Sequence, residues 1–151
     1  MLSCFIMGDS SVDKQQLFPN PVPGSEVWSA GNPSVHCTRS GECLYNKRAP
    51  LPDEASLVTI VTGGQMEVEC YGKLDLIVHC GEGEGIPVTL DNVAVVPEFA
   101  LENVMSIDQM RMQSPVIMGP SGVAAFNGRL HFVPGSTGNY VQATRVPHAS
   151  A

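Results

Sequence analysis

Apolar and polar residues alternate with a period of two over long stretches of this chain. The clearest alternation is in 65–71, where Met66, Val68 and Cys70 point one way and the residues between them point the other. A period of two places successive side chains on opposite faces of a β-strand. Gly63-Gly64 directly precedes this run and supplies a two-residue turn. We therefore predict a hairpin here.

The same alternation predicts further short strands at close spacing. They cover 57–62, 74–80, 86–96, 116–118 and 140–146, with a hairpin over 123–133 around Asn127-Gly128. Helical spacing of apolar residues appears over 101–112 and predicts a helix of about three turns at most. Fifteen glycines and twelve prolines fit a chain with many turns. The pattern predicts an all-β barrel or sandwich with one short helix.

The length of the chain limits the number of domains, and its charge limits the kinds of partner. A chain of 151 residues favours one domain, with a tail over 1–25, a folded unit over 26–146 and a second tail over 147–151. The formal charge of −7 argues against nucleic-acid binding, which needs clustered Lys and Arg. No apolar run approaches the roughly 20 residues of a membrane helix, and the start lacks a basic signal-peptide region. We predict an intracellular protein, cytoplasmic or nuclear, that binds neither nucleic acid nor membrane.

The cysteines and histidines do not predict a metal or a cofactor. Five cysteines, with no CxxC pair, are expected to be free thiols, although a single disulfide stays open. His36, Cys37 and Cys43 lack the spacing of a zinc site, and His79-Cys80 on one strand would diverge. We therefore expect no bound metal and no cofactor.

Four segments follow one another as they do in a known family. They are Trp28-Ser29-Ala30, the stretch 34–38 with His36, the run Leu90–Pro97, and Asn103–Met110. The third fits the pattern L-x-N-V-x-x-V-P completely, and the fourth echoes N-L-L-S-V-x-x-L. Over roughly residues 26–145 the chain resembles the aspartic-protease-like domain of copia-type retrotransposon Gag-Pol polyproteins. The resemblance implies a retropepsin-like small β-barrel.

The chain departs from that family where the chemistry would occur. The family carries Asp-Ser-Gly-Ala after the position of Ala30, whereas this chain has Gly31-Asn32-Pro33-Ser34 in a loop one residue shorter. Gly63-Gly64 takes the place of the flap. Two carboxylates must share a proton in an aspartic protease, but Gly31 holds no proton and Asn32 is no base near neutral pH. We expect a non-catalytic interaction or structural module, whose partner is a protein, a peptide or a second copy.

Two enzymatic alternatives remain. The first is an active aspartic peptidase with an Asp from elsewhere, such as Asp9. The second is an esterase of the GDSL type with Ser10 as nucleophile, because 5–13 resembles the nucleophile block of those enzymes. That chemistry also needs an oxyanion block and an Asp-x-x-His pair. His148 has no Asp three residues before it.

Overall fold

A computed structural model describes the backbone over residues 2–3, 18, 22–31, 33, 35–51, 57–59, 65–79, 85–98, 103–135 and 138–147. These residues form thirteen strands and one helix. The first seven strands are β1 (Leu2–Ser3), β2 (Glu26–Gly31), β3 (His36–Thr38), β4 (Tyr45–Arg48), β5 (Leu57–Thr59), β6 (Gln65–Glu67) and β7 (Cys70–His79). The rest are β8 (Ile86–Val95), β9 (Asn103–Ser106), the helix α1 (Ile107–Gln113), β10 (Ile117–Gly119), β11 (Gly122–Ala125), β12 (Leu130–Pro134) and β13 (Asn139–Val146).

Six of the strands close into a barrel. Their order is β13, β2, β9, β3, β8 and β7, and β7 pairs again with β13. Closure removes the open edges of these six strands. On one side β12, β11 and β10 continue the sheet from β13, and on the other β4 lies beside β7. The prediction of an all-β small barrel with one short helix is confirmed.

The barrel interior is filled by alternate residues of its strands. Along β7, Leu74, Leu76 and Val78 are buried, while the residues between them are more exposed. The largest fully buried side chains also include Trp28, Tyr71, Phe132, Leu90, Met105, Met110 and Leu130. Burial of an aliphatic or aromatic side chain contributes about 1.5–3 kcal/mol, so these residues dominate the stability of the barrel.

The strand β9 corrects the prediction of a helix over 101–112. Residues Asn103–Ser106 are all buried and lie between β2, to which they run parallel, and β3, to which they run antiparallel. The helix begins only at Ile107. The spacing of Val104 and Met105 fits a helix as well as a buried strand, and pairing on both sides decides for the strand.

The first third of the chain contains more strand than its composition indicates. The strands β3 and β4 lie before residue 57, where the alternation of apolar and polar residues predicts no strand, and β1 pairs in parallel with β5. The backbone N–H of Val22 donates to the Gln142 side chain at 2.9 Å, so contacts with the barrel precede residue 26. Within the described residues, no helix is long and apolar enough to cross a bilayer.

Candidate functional site

The segment 31–34, where the sequence resemblance predicts a degenerate catalytic motif, begins at the end of β2, one of three neighbouring strands. We call residues 31–34 the relic loop. It leaves β2 at Gly31 and leads to β3, which begins at His36, while β9 lies between these two strands. Asn32 and Ser34 lie outside the described residues, so its geometry is known at Gly31 and Pro33. Both are held by neighbours from β9.

Gly31 packs closely against β9. It pairs with Ser106, and a Cβ atom built on Gly31 would lie 2.7 Å from Cγ1 of Val104. Real Cβ atoms do not approach other carbon atoms so closely. Any side chain at this position, an aspartate included, therefore requires Val104 to move. Position 31 therefore has no carboxylate and little room for one.

Ser106 fixes the relic loop to the start of α1. Its hydroxyl donates to the carbonyl of Pro33 at 2.6 Å and accepts from the backbone N–H of Gln109 at 3.1 Å. The second bond makes Ser106 the N-cap of the helix. Its own backbone N–H donates to Nδ1 of His36 at 2.8 Å. The bonds to Pro33 and His36 are buried, and the bond from Gln109 is partly buried.

His36 is a neutral hydrogen-bond acceptor at this site. Its side chain is 2% exposed, and burial lowers its pKa from 6.5 to about 4. Because Nδ1 accepts from Ser106, the single proton of the neutral ring is on Nε2. A histidine with this pKa does not exchange protons near pH 7. The described residues of the site thus offer neither a carboxylate pair nor a base suited to neutral pH.

A small apolar cluster connects the relic loop to the β5–β6 pair. Its buried members are Cys37, Val68, Tyr71, Ala94, Val96 and Val104, and Val35 and Met66 pack against them. Val35 directly follows the loop, and Met66 belongs to β6. The antiparallel pairing of β5 with β6 fits the predicted hairpin. Gly63 and Gly64 lie outside the described residues, so their role as a flap stays a prediction.

The opposite end of the same strands carries a polar network that the sequence did not predict. Arg145 on β13 forms an ion pair with Glu26 at 2.6 Å and donates to the hydroxyl of Thr38 at 2.6 Å. It also donates to Asn103 Oδ1 at 3.2 Å and to the carbonyls of Ser40 and Glu42, each at 2.7 Å. We call this set the arginine network. No sequence spacing predicts a pair 119 residues apart.

The part of the chain that the structure describes contains no assembled metal site and no disulfide. No group of three His, Cys, Asp or Glu side chains there is placed to hold a metal ion. Cys37, Cys43 and Cys70 are unbridged. The pKa of the Cys70 thiol is raised, mainly by burial and to a smaller extent by the negative charge of Glu69. A raised pKa disfavours the reactive thiolate.

The residues of the two enzymatic alternatives are not placed by the structure. Asp9, Ser10 and His148 all lie outside the described residues. Neither alternative therefore gains or loses support from the geometry. No protein-family model, no curated protein and no solved structure matches this chain.

Proposed function

We propose that this chain is a non-catalytic, retropepsin-like domain derived from a retrotransposon polyprotein and acts as an interaction or structural module. The observation that carries the proposal is Gly31, which stands where the family places its catalytic aspartate and packs against Val104. The replacement removes the carboxylate, and the packing removes its space. A symmetric dimer of such chains would lack both carboxylates of the shared pair.

The arrangement of the four motif segments supports the family assignment. Trp28-Ser29-Ala30 lies on β2, and His36 begins β3. The run Leu90–Pro97 supplies the end of β8 that pairs with β3, and Asn103–Met110 supplies β9 and the start of α1. Segments that are far apart in sequence are therefore adjacent strands around one loop. This is the arrangement expected if the four motifs belong to one site.

The bonds at the described part of the site support a role that needs no catalytic group. General acid–base catalysis by one group contributes about 10²- to 10⁴-fold, and an aspartic peptidase needs two such groups. The polar atoms described here, on Pro33, His36 and Ser106, are already bonded to one another. They hold the loop to the barrel and leave no described base to activate water. A role in binding requires no such group.

A peptidase assay with three versions of the full chain tests the proposal. We expect no pepstatin-sensitive cleavage of casein or self-derived peptides between pH 3 and 7 by the wild type. Gly31→Asp should also stay inactive, because Val104 obstructs the new side chain. The double variant Gly31→Asp, Val104→Ala removes the obstructing Cγ1 and should still be inactive, because the loop stays short and contains Pro33.

Each alternative predicts a different outcome in this assay. Pepstatin-sensitive cleavage by the wild type that disappears in Asp9→Ala would overturn the proposal in favour of a peptidase. Hydrolysis of a chromogenic short-chain ester that disappears in Ser10→Ala would favour the esterase. Circular dichroism of every variant distinguishes an inactive fold from an unfolded chain.

A further inference from the structure

The two outer strands of the ten-stranded sheet, β4 and β10, differ in charge and in regularity. At one end is β4, which contains Lys47 and Arg48, a register irregularity and a positive φ of 52° at Asn46. Charged residues and bulges are the usual protection of a sheet edge against unwanted pairing. At the other end is β10, which contains Ile117, Met118 and Gly119 and has no charged residue.

The β10 edge is apolar and uncovered. Ile117 is 71% exposed and Met118 55% exposed, and Met112, in the last turn of α1, is 79% exposed. Arg111 Nη2 lies 3.8 Å from Sδ of Met118, which places the end of α1 beside β10. A Cβ atom at Gly119 would meet nothing within 4 Å. We call Met112 and Ile117–Gly119 the β10 patch.

We propose that the β10 patch binds a second copy of this chain by antiparallel pairing of the two β10 strands about a two-fold axis. Such a contact is isologous, because the same surface is used on both copies. With Met118 opposite Met118, Ile117 of each copy lies opposite Gly119 of the other. The alternating peptide groups of β10 that do not face β11 would then pair across the interface. The two sheets would join into one.

The charge distribution favours a second copy over a charged partner. In and between α1 and β10 the only charged residues are Asp108 and Arg111, which form an ion pair at 3.8 Å. The charges of Asp108 and Arg111 cancel, so two β10 patches bring no net charge of their own together. A strongly acidic or basic partner would find no complementary charge there.

The expected association is weak. Each strand contributes three residues, and Pro115 and Pro120 on either side limit its extension because proline donates no backbone hydrogen bond. Small interfaces of this kind belong to the weak, transient class. We expect a dissociation constant on the order of 100 µM. The inference deepens the proposed function, on which it rests for the view that binding is the role of this domain.

Sedimentation of the full chain from 10 µM to 1 mM, which brackets the expected constant of about 100 µM, tests the dimer. We expect a monomer–dimer equilibrium that Met118→Lys weakens at least about tenfold, because two like charges would face each other. Leu51→Lys is the matched control, since Leu51 is 52% exposed but lies outside the patch. It should leave the equilibrium unchanged. A monomer at 1 mM, or a dimer that Met118→Lys does not weaken, overturns the inference.

Cross-linking tests the register independently. Residues directly opposite each other in antiparallel strands have Cα atoms about 4.5–5.5 Å apart, which is within the range of a disulfide. Met118→Cys should therefore form a covalent dimer under mild oxidation, well above the background of the wild type and of Leu51→Cys. Equal cross-linking in all three excludes the pairing. A monomer without peptidase activity would refute the dimer alone, whereas a dimer with pepstatin-sensitive activity would refute the proposed function.

Discussion

The two ends of the strands β2, β9 and β3 are held in different ways. At the end where these strands meet the relic loop, the contacts are neutral: Ser106 bonds to Pro33 and His36, and Gly31 packs on Val104. At the other end, the arginine network joins β13 to β2, β3 and β9 through a buried guanidinium. Arg145, whose side chain is largely buried, thus lies at the end opposite the relic loop.

The difference concerns where the buried charge of the barrel lies, which is at the end away from the relic loop. The side chain of Arg145 is 8% exposed and that of Glu26 is 28% exposed, so the Arg145 charge would be poorly solvated without its partner. The ring of Trp28 lies under the Arg145 guanidinium, with 6.0 Å from Cζ to the ring centroid. The described residues of the relic loop, in contrast, carry no charged side chain that could take part in catalysis. Under the proposed function, this fold is maintained without a catalytic group.

The largest expected effect is at the arginine network. Arg145→Ala removes the ion pair and leaves Glu26, Thr38 and Asn103 without their common donor. Breaking a buried pair by removing one partner costs about 3–5 kcal/mol, and we expect about 4 kcal/mol in the free energy of unfolding from urea titration. Arg145→Lys should lose part of this, because an ammonium group cannot reproduce the fork of hydrogen bonds. Arg129→Ala, at an exposed arginine, is the control, and an equal loss there would contradict the account.

A smaller effect is expected at the relic loop. Ser106→Ala removes the bond to the Pro33 carbonyl and the cap of α1. An unmade buried hydrogen bond costs about 1–3 kcal/mol and a lost N-cap about 1 kcal/mol, so we expect a loss of about 3 kcal/mol. Ser40→Ala, at an exposed serine, should lose less than about 1 kcal/mol. If Ser106→Ala is as mild as Ser40→Ala, the relic loop is not held in the way described.

The smallest effect is a pH dependence from His36. Its pKa is about 4 in the folded protein and near 6.5 when unfolded, so the unfolded chain binds more protons between these values. Stability therefore falls as the pH drops through this window. The loss should reach about 2 kcal/mol at pH 5 relative to pH 7. Urea titrations of wild type and His36→Gln measure it, and the same pH dependence in both would assign it to other groups.

The sequence predicted the parts of the fold that depend on local pattern. The alternation over 86–96 gave β8, and Asn127-Gly128 gave the β11–β12 turn, in which both residues have positive φ. It failed at β9, because the spacing of Val104 and Met105 fits two structures and long-range pairing selects one. It also missed β3, which is only three residues long.

The candidate site was also predictable only where it depends on local sequence and not on long-range contacts. Gly31 was found from its place between two motifs, which is a property of the sequence alone. The clash with Val104 and the bonds of Ser106 depend on how β9 inserts between β2 and β3. The arginine network depends on closure of the barrel, since β13 meets β2 only in the folded chain. A single arginine near the end of a strand gives no sign of such partners.

The central proposal is that this domain does not cleave peptides. The most direct measurement is mass spectrometry of self-derived peptides incubated with the wild-type chain between pH 3 and 7, with and without pepstatin. We predict the same peptide pattern with and without pepstatin, and no new cleavage products at any pH. Products that accumulate with time and disappear in the presence of pepstatin would contradict the account.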